Sequence, residues 1–405
     1  MKQLKYFLWC ILVIFVFSAC RAVSDTPNSV KPQKVLRIVY KIYPNEWYVQ
    51  QEKLWKKEID KNPRNTEAWY NYYNAVRYAK FEESFDTKEK KDKLNKIIED
   101  MGKAIPGTYE YYLLKHWTTH NIWDMSTLEK AYQLNPERPD TYYEFILHYQ
   151  VSGNEQKVKE FYEKLYESRD IAPWLINYNY NVLMSTKKNA ILFTNGDNDT
   201  YPARMLQVVK GIRKDVTILN VSLSPIKSYI EEKLKKKGII INIDELKQKA
   251  KEGGADQAKK FSLPTYIQEI CKVITEKYPD FPVYFALTVY KAYYKPFDDD
   301  MYIVGLAYRY SPSRIDNTAL LKKNFEDKFR LDYLKYDWYD EKYTGIRLMA
   351  QINMNYAIPM IMLAEHYKTS GQDFEAEKWK KQALEIAKEA GKKEQIEKYI
   401  EEKGL

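Results

Sequence analysis

The stretch that decides the fold is AILFTNGDNDTYP, residues 190–202. Ala190 to Thr194 is a short apolar run, which predicts a buried strand. Asn195, Gly196, Asp197, Asn198 and Asp199 form a turn cluster. Thr200 can cap a helix with Pro202 in its first turn, and Gly211 ends that helix after Lys210. The same alternation continues downstream. Residues 216–221 predict a second strand, Ser224-Pro225 opens a helix to about Lys237, and a longer helix spans 264–277. Residues 282–286 predict a third strand and 301–310 a fourth. Strands alternating with helices imply a mostly parallel, doubly wound sheet.

Upstream the periodicity changes from strand-like to helical. Asn62-Pro63 and Asn135-Pro136 lie 73 residues apart, and each Pro precedes an aromatic, Trp69 or Tyr142, by six positions. That offset resembles the tetratricopeptide repeat, in which Pro closes one helix pair and a large aromatic opens the next. Phe145, Ile146, Tyr149, Val158, Tyr162 and Leu165 continue the spacing, with Gly153-Asn154 at the turn. Near the C-terminus Leu363, Ala364, Tyr367, Ala376, Trp379 and Ala383 repeat it around Ser370-Gly371. A helix pair cannot bury its apolar face alone, so such units stack. Trp69, Tyr72, Tyr73 and Tyr149 are accordingly expected to wedge between helices. A concave, tyrosine-rich groove for a peptide or glycan is the functional counterpart.

The expected class is thus α/β plus all-α: tetratricopeptide-like repeats flanking a small, mostly parallel, doubly wound α/β domain. The predicted divisions are a leader over 1–20, a tether over 21–44, helices over 45–188, the α/β domain over 189–315, and a helical region over 316–405.

Four segments, ILFTNGDNDTYP at 191–202, GIRKDVTILNVSL at 211–223, PVYFALTV at 282–289 and GLAYRYSP at 305–312, resemble the soluble C-terminal part of a family of bacterial membrane proteins. Those proteins are similar to protein O-mannosyltransferases through a multi-spanning N-terminal half. The resemblance covers about residues 189–390, and Tyr201 stands where the family usually has Phe. It implies a soluble domain beside a membrane, on the outer side. Glycosyl transfer in the family is expected in the multi-spanning half, so the resemblance does not imply catalysis here.

The acidic loop is the main candidate site. It lies at the carboxyl end of the first strand, where open α/β sheets bind ligands. Asn195, Asp197, Asn198, Asp199 and Arg309 are candidate ligand-binding residues, and Asp197 and Asp199 could hold a hard divalent cation or a sugar. The competing reading is structural, since a carboxylate caps the free N–H groups at a helix start. Arg309 and Arg314 are candidate counter-charges. His116 and His120 share a helix face at i, i+4, but lack the Glu of a zinc-protease motif. Asp298-Asp299-Asp300 reads as a solvated loop. No nucleophile elbow or Cys-x-x-Cys pair is present in the sequence. No reaction is predicted, and no cofactor apart from the candidate cation.

The first residues give an address. A basic start, 12 apolar residues from Tyr6 to Phe17, then Ser18-Ala19-Cys20 form a signal-peptide pattern. The run is shorter than the roughly 20 apolar residues a spanning helix needs. Its ending resembles a bacterial lipobox, which implies lipid attachment at Cys20 and an extracytoplasmic, membrane-anchored chain. Arg21 is not the Asp of the inner-membrane retention signal, so an outer membrane is the default where one exists. Cys10 leaves with the leader, and Cys271 is left without a disulfide partner. The net charge of +9 is spread among acidic neighbours, so nucleic acid is excluded as a partner. The expected function is a non-enzymatic interaction or scaffold module with a protein partner in the envelope. The alternative is a glycan- or cation-binding accessory protein using Asp197 and Asp199.

Overall fold

A computed structural model describes residues 31–38, 40–80, 87–119, 121–252, 261–335 and 346–405, the side chains of 346 and 347 excepted. The leader, Cys20 and His120 lie outside the described residues. Helical hairpins come first: α1 (Asn45–Lys61), α2 (Thr66–Tyr78), α3 (Lys88–Ala104), α4 (Tyr109–Thr119), α5 (Ser126–Leu134), α6 (Asp140–Val151), α7 (Glu155–Glu167) and α8 (Pro173–Met184). The spacing between Pro and the aromatic has a direct cause. Trp69 Nε1 donates to the Pro63 carbonyl at 2.9 Å, and Tyr142 Oη donates to the Pro136 carbonyl at 2.7 Å. Each aromatic therefore ties its helix back to the preceding turn. Asn65 completes the first turn by accepting from Ala68 N–H at 3.0 Å, as an N-cap does. Trp69 and Tyr73 are buried, while Tyr72 and Tyr149 pack against the core from its edge. Stacked rings join α6 to α7, with Phe145 and Phe161 centroids 4.4 Å apart.

The α/β part follows: β1 (Ile191–Thr194), α9 (Asp197–Lys210), β2 (Thr217–Asn220), α10 (Lys227–Lys235), α11 (Ile243–Glu252), α12 (Leu263–Lys277), β3 (Val283–Ala286), β4 (Met301–Ile303) and β5 (Ala307–Tyr310). The sheet order is β2-β1-β3-β5-β4. β1 pairs in parallel with β2, Ile191 opposite Thr217, and with β3, Ile191 opposite Val283. Every residue of these three strands is buried, which is why they read as short continuous apolar runs.

The sheet is mixed rather than mostly parallel. Residues 301–310, expected as one strand, form two, β4 and β5, and β5 runs antiparallel to β3. Gly305 makes the turn at φ +143°, and a Cβ there would fall 2.5 Å from Ser185 Oγ. That left-handed backbone suits glycine and lets the chain reverse within three residues. The chain closes with α13 (Asn317–Lys323), α14 (Ile346–Asn353), α15 (Ala357–Thr369), α16 (Asp373–Glu389) and α17 (Lys393–Glu402). Leu363, Ala364, Tyr367, Ala376, Trp379 and Ala383 are all buried, and Gly371 turns the chain at φ +71°.

Helix α8 joins the three parts. Asn179 Nδ2 donates to the Asn198 carbonyl of the acidic loop at 2.8 Å. Asn181 Nδ2 donates to Tyr356 Oη at 2.7 Å, ahead of α15, and its Oδ1 accepts from Arg330 N–H at 2.8 Å. Ser185 Oγ accepts from Leu306 N–H in the β4–β5 turn at 2.8 Å. Among the described residues no helix is long and apolar enough to cross a membrane, and Cys271 is the free cysteine, buried with its thiol pushed up by that burial.

Candidate functional site

The acidic loop is built from the strand outward. Helix α9 starts at Asp197, one turn earlier than a Thr200 cap would place it. Asp199 supplies the reason. At the third helical position its carboxylate reaches back, accepting from Asn195 N–H at 2.7 Å and Gly196 N–H at 2.8 Å. This is the half of a capping box that a glycine N-cap still permits. These donors precede the helix and do not belong to its first turn. Thr288 Oγ1, just beyond β3, also donates to Asp199. Burial raises the Asp199 pKa, and these hydrogen bonds oppose the rise. Pro202 has no N–H for the Asn198 carbonyl four residues back, and the Asn179 carboxamide takes that carbonyl instead. Thr200 Oγ1 bonds Thr194 Oγ1 at 2.7 Å and accepts from Asn220 Nδ2 at 3.0 Å. The loop is thus tied to α8, to β2 and to the turn after β3.

Asp197 has a different environment. Its side chain keeps an open surface, yet protein surrounds it closely enough to raise its pKa, against the lowering fields of Arg37 and Arg77. The counter-charges thus come from the N-terminal segment and from α2. Arg309 is not among the groups acting on the loop. It pairs in register with Tyr284, two residues back from the end of β3, and its charge lowers the pKa of Lys187. Arg314 likewise does not figure among the charges acting on either aspartate. The antiparallel turn of β5 carries Arg309 back toward the amino ends of the parallel strands.

The same two arginines and Asp197 act on Glu144 of α6. Burial raises the Glu144 pKa, Asp197 adds to the rise, and Arg77, Arg37 and a hydrogen bond from Trp117 offset it. Glu144 is 29% exposed, with Oε2 3.9 Å from Nε2 of buried His116. His116 therefore faces a carboxylate across the helix stack. Tyr201 closes the far wall. Its ring meets Tyr143 edge-on at 5.1 Å, and its hydroxyl donates to the Tyr143 carbonyl at 3.2 Å, a bond that Phe could not make. Arg77, whose guanidinium lies 4.7 Å from the Trp117 ring centre, Trp117, Glu144, Asp197 and Tyr201 thus gather where α2, α4 and α6 meet the start of α9, a cluster referred to as the bay.

Asp170 lies at the edge of this bay. It accepts from Arg37 Nη1 at 2.9 Å, from Tyr143 Oη at 2.7 Å and from Tyr40 Oη. The Arg37 guanidinium lies 4.7 Å from the Tyr143 ring centre. Arg37 belongs to residues 33–38, which the sequence reading gives to a tether; from Gln33 on, the segment is bound to the fold. Val35 is 2% exposed, and its apolar burial holds a stretch whose polar neighbours look unstructured. Sequence reading missed Arg37, Arg77, Glu144 and Asp170. A cationic residue amid apolar ones, as in Val35-Leu36-Arg37-Ile38, is the available signal for the first.

Among the described residues there is no group of three or more His, Cys, Asp or Glu placed to hold a metal ion. Asp298 pairs with Lys291 at 2.5 Å in a short helical turn, in keeping with a surface role.

The chain matches the model of a family described as TMEM260-associated domain 2 over residues 175–251. The match begins inside α8 and covers β1, the acidic loop, α9, β2 and α10. No curated protein matches the chain. A solved structure titled "Crystal structure of APC/C hetero-tetramer Cut9-Hcn1" is similar at 11% identity and a TM-score of 0.26, over 90% of this chain and 53% of that one. This chain therefore spans about half the length of that one.

Proposed function

We propose that this chain is a protein-interaction module of the bacterial cell envelope, anchored in a membrane by lipid on Cys20, with the bay as its binding face. The carrying observation is the bay itself. It presents Arg77, Glu144 and Asp197, with aromatic rings beside them, from four elements that the rest of the fold holds rigid. Stacked helical hairpins serve as binding scaffolds because their inner faces form extended surfaces. Charges of both signs beside tyrosine and tryptophan suit a protein surface. The lipobox-like ending at Cys20 and the resemblance to domains beside membranes support the location.

The test is a complex. Solubilised from its native envelope, the chain is expected to migrate with a partner protein. Arg77→Gln combined with Asp197→Asn should dissolve that complex while circular dichroism shows the chain still folded. Cys20→Ser should abolish lipid labelling and move the chain to the soluble fraction. A complex indifferent to the bay variant would refute the binding face. A Cys20→Ser chain still in the membrane would refute the anchor.

A second reading has its own support. Paired acids beside Trp117, Tyr143 and Tyr201 also suit a glycan, whose hydroxyls bond carboxylates while its apolar face lies on rings. The resemblance to proteins related to O-mannosyltransferases and the TMEM260-associated match support a link to glycosylation. On this reading, mannose oligosaccharides quench Trp117 fluorescence in the wild type and not in Glu144→Gln.

A further inference from the structure

Residues 33–37, ahead of α1, have no regular secondary structure, and side chains of other elements hold their main chain before it turns at Arg37, whose carbonyl accepts from Tyr40 N–H at 2.9 Å and Lys41 N–H at 3.2 Å. Gln33 N–H donates to Gln51 Oε1 at 2.6 Å, and the Gln33 carbonyl accepts from Trp55 Nε1 at 2.8 Å. Val35 N–H donates to Asn71 Oδ1 at 2.7 Å. Asn71 is itself oriented by its Nδ2 bond to the Glu67 carbonyl at 2.9 Å. Val35 and Arg37 turn inward. Val35 is buried, Lys34 between its neighbours is exposed, and Arg37 reaches Asp170. Groove proteins read an extended peptide this way: fixed polar groups take the main chain, and pockets take every second side chain.

Asp170 makes the arginine pocket specific. Its side chain is only 7% exposed, and three donors converge on it. Without the segment, which supplies both the guanidinium and Tyr40, the Tyr143 hydroxyl is the one of these three donors left to answer a nearly buried charge, which is costly. Arginine fits because its planar fork bonds a carboxylate while stacking on a ring, here that of Tyr143. The contacts are to amide N–H groups and a guanidinium, so the matching ligand is a peptide and not a sugar.

We infer that the face of α1, α2 and α6 that holds these residues is a peptide-recognition site, that Gln33 to Arg37 together with Tyr40 are its resident intramolecular ligand, and that a partner's segment takes the same place. The partner segment carries an aliphatic residue and, two positions later, an arginine. This rests on the proposed interaction role and adds the chemistry of the partner. Covalent linkage gives the resident segment an effective concentration of about a millimolar, so an incoming peptide needs further contacts. The adjoining bay, with Arg77, Glu144 and Asp197, supplies them.

The test uses the full chain with a protease recognition sequence inserted between Lys41 and Ile42. After cleavage, a fluorescent peptide of residues 31–41 is added. The cleaved chain is expected to stay folded and bind the peptide about 100-fold better than the uncut chain, since the tether no longer competes. Arg37→Ala in the peptide, or Asp170→Asn in the chain, should weaken binding at least about tenfold, as loss of a charged hydrogen bond does. A cleaved chain that refuses the peptide, or unfolds as the segment leaves, overturns the inference. So does a peptide bound equally with Ala in place of Arg37.

Hydrogen exchange on the unmodified chain gives an independent check. The Val35 amide should exchange about 100-fold or more faster than the core amides of α2 and α6, because a displaceable segment opens locally. Equal rates would make it part of the cooperative core and overturn the inference. A partner complex lost on the bay variant, with no peptide binding, would sink this inference and leave the interaction role standing.

Discussion

Asp199 stands at the third position of α9, where a carboxylate answers two loop N–H groups and the Thr288 hydroxyl together. Asp199→Ala should therefore cost about 2 kcal/mol, the upper end for a lost helix cap, read by urea unfolding; a loss within error would deny the carboxylate that role. Both Asp199 oxygens are committed, so millimolar Ca²⁺ or Mn²⁺ should leave the melting temperature unchanged. A cation-dependent rise that disappears in Asp197→Ala would establish a metal site, since a ligand of the folded state alone must stabilise it. Glu144 gives a pH signature. Its pKa is raised, mainly by burial, from the usual 4.5. The folded state then holds its proton to higher pH than the unfolded chain, so this group's contribution to stability falls as pH rises from the unfolded pKa through the folded one. Glu144→Gln should flatten that part of the stability–pH curve, and an unaltered curve would contradict the assignment. The capping role of Asp199 was legible in the sequence because a cap is local. The partners of Asp197 were not, because Arg37 and Arg77 are brought to it by packing across more than a hundred residues. Arg309 was misassigned because its place depends on a strand direction that residues 301–310 do not declare.

At the level of elements, the repeat spacing was legible because it has a local cause, the bond from an aromatic to the carbonyl of a Pro six residues earlier. Tyr142→Phe keeps the buried ring and deletes that bond to Pro136. It should cost about 1 kcal/mol, the usual net value of one hydrogen bond, and an unchanged midpoint would make the spacing a matter of ring packing alone. The three parallel strands were legible as short buried runs bounded by turns. The hairpin of β4 and β5 was not, because Met301 to Tyr310 reads as one β-rich run with a single glycine inside it. Gly305 carries the reversal. Gly305→Ala adds a Cβ that meets Ser185 Oγ at 2.5 Å and Phe329 at 2.9 Å, on a backbone at φ +143°. Destabilisation of more than about 1 kcal/mol is expected by thermal or chemical unfolding, since Ala resists positive φ. A neutral result would show that the turn relaxes.

Across the whole molecule, α8 is the shared wall that sets the helical hairpins, the sheet and the closing repeat in fixed relation through Asn179, Asn181 and Ser185. These bonds bring the bay together, because Arg77 and Glu144 belong to the hairpins and Asp197 to the α/β part. Neither half contains the bay alone, which is why no single motif in the sequence announces it. The proposed binding face is this cluster of side chains and not the exposed surface of the closing repeat. Site-specific photo-crosslinking in living cells addresses it most directly. A benzoylphenylalanine placed at Tyr201, in the bay, and another at Phe374, which is 82% exposed on the closing repeat, would each be illuminated and the adducts compared. A discrete protein adduct is expected from position 201 and none from 374. An adduct from 374 with none from 201 would contradict that binding face.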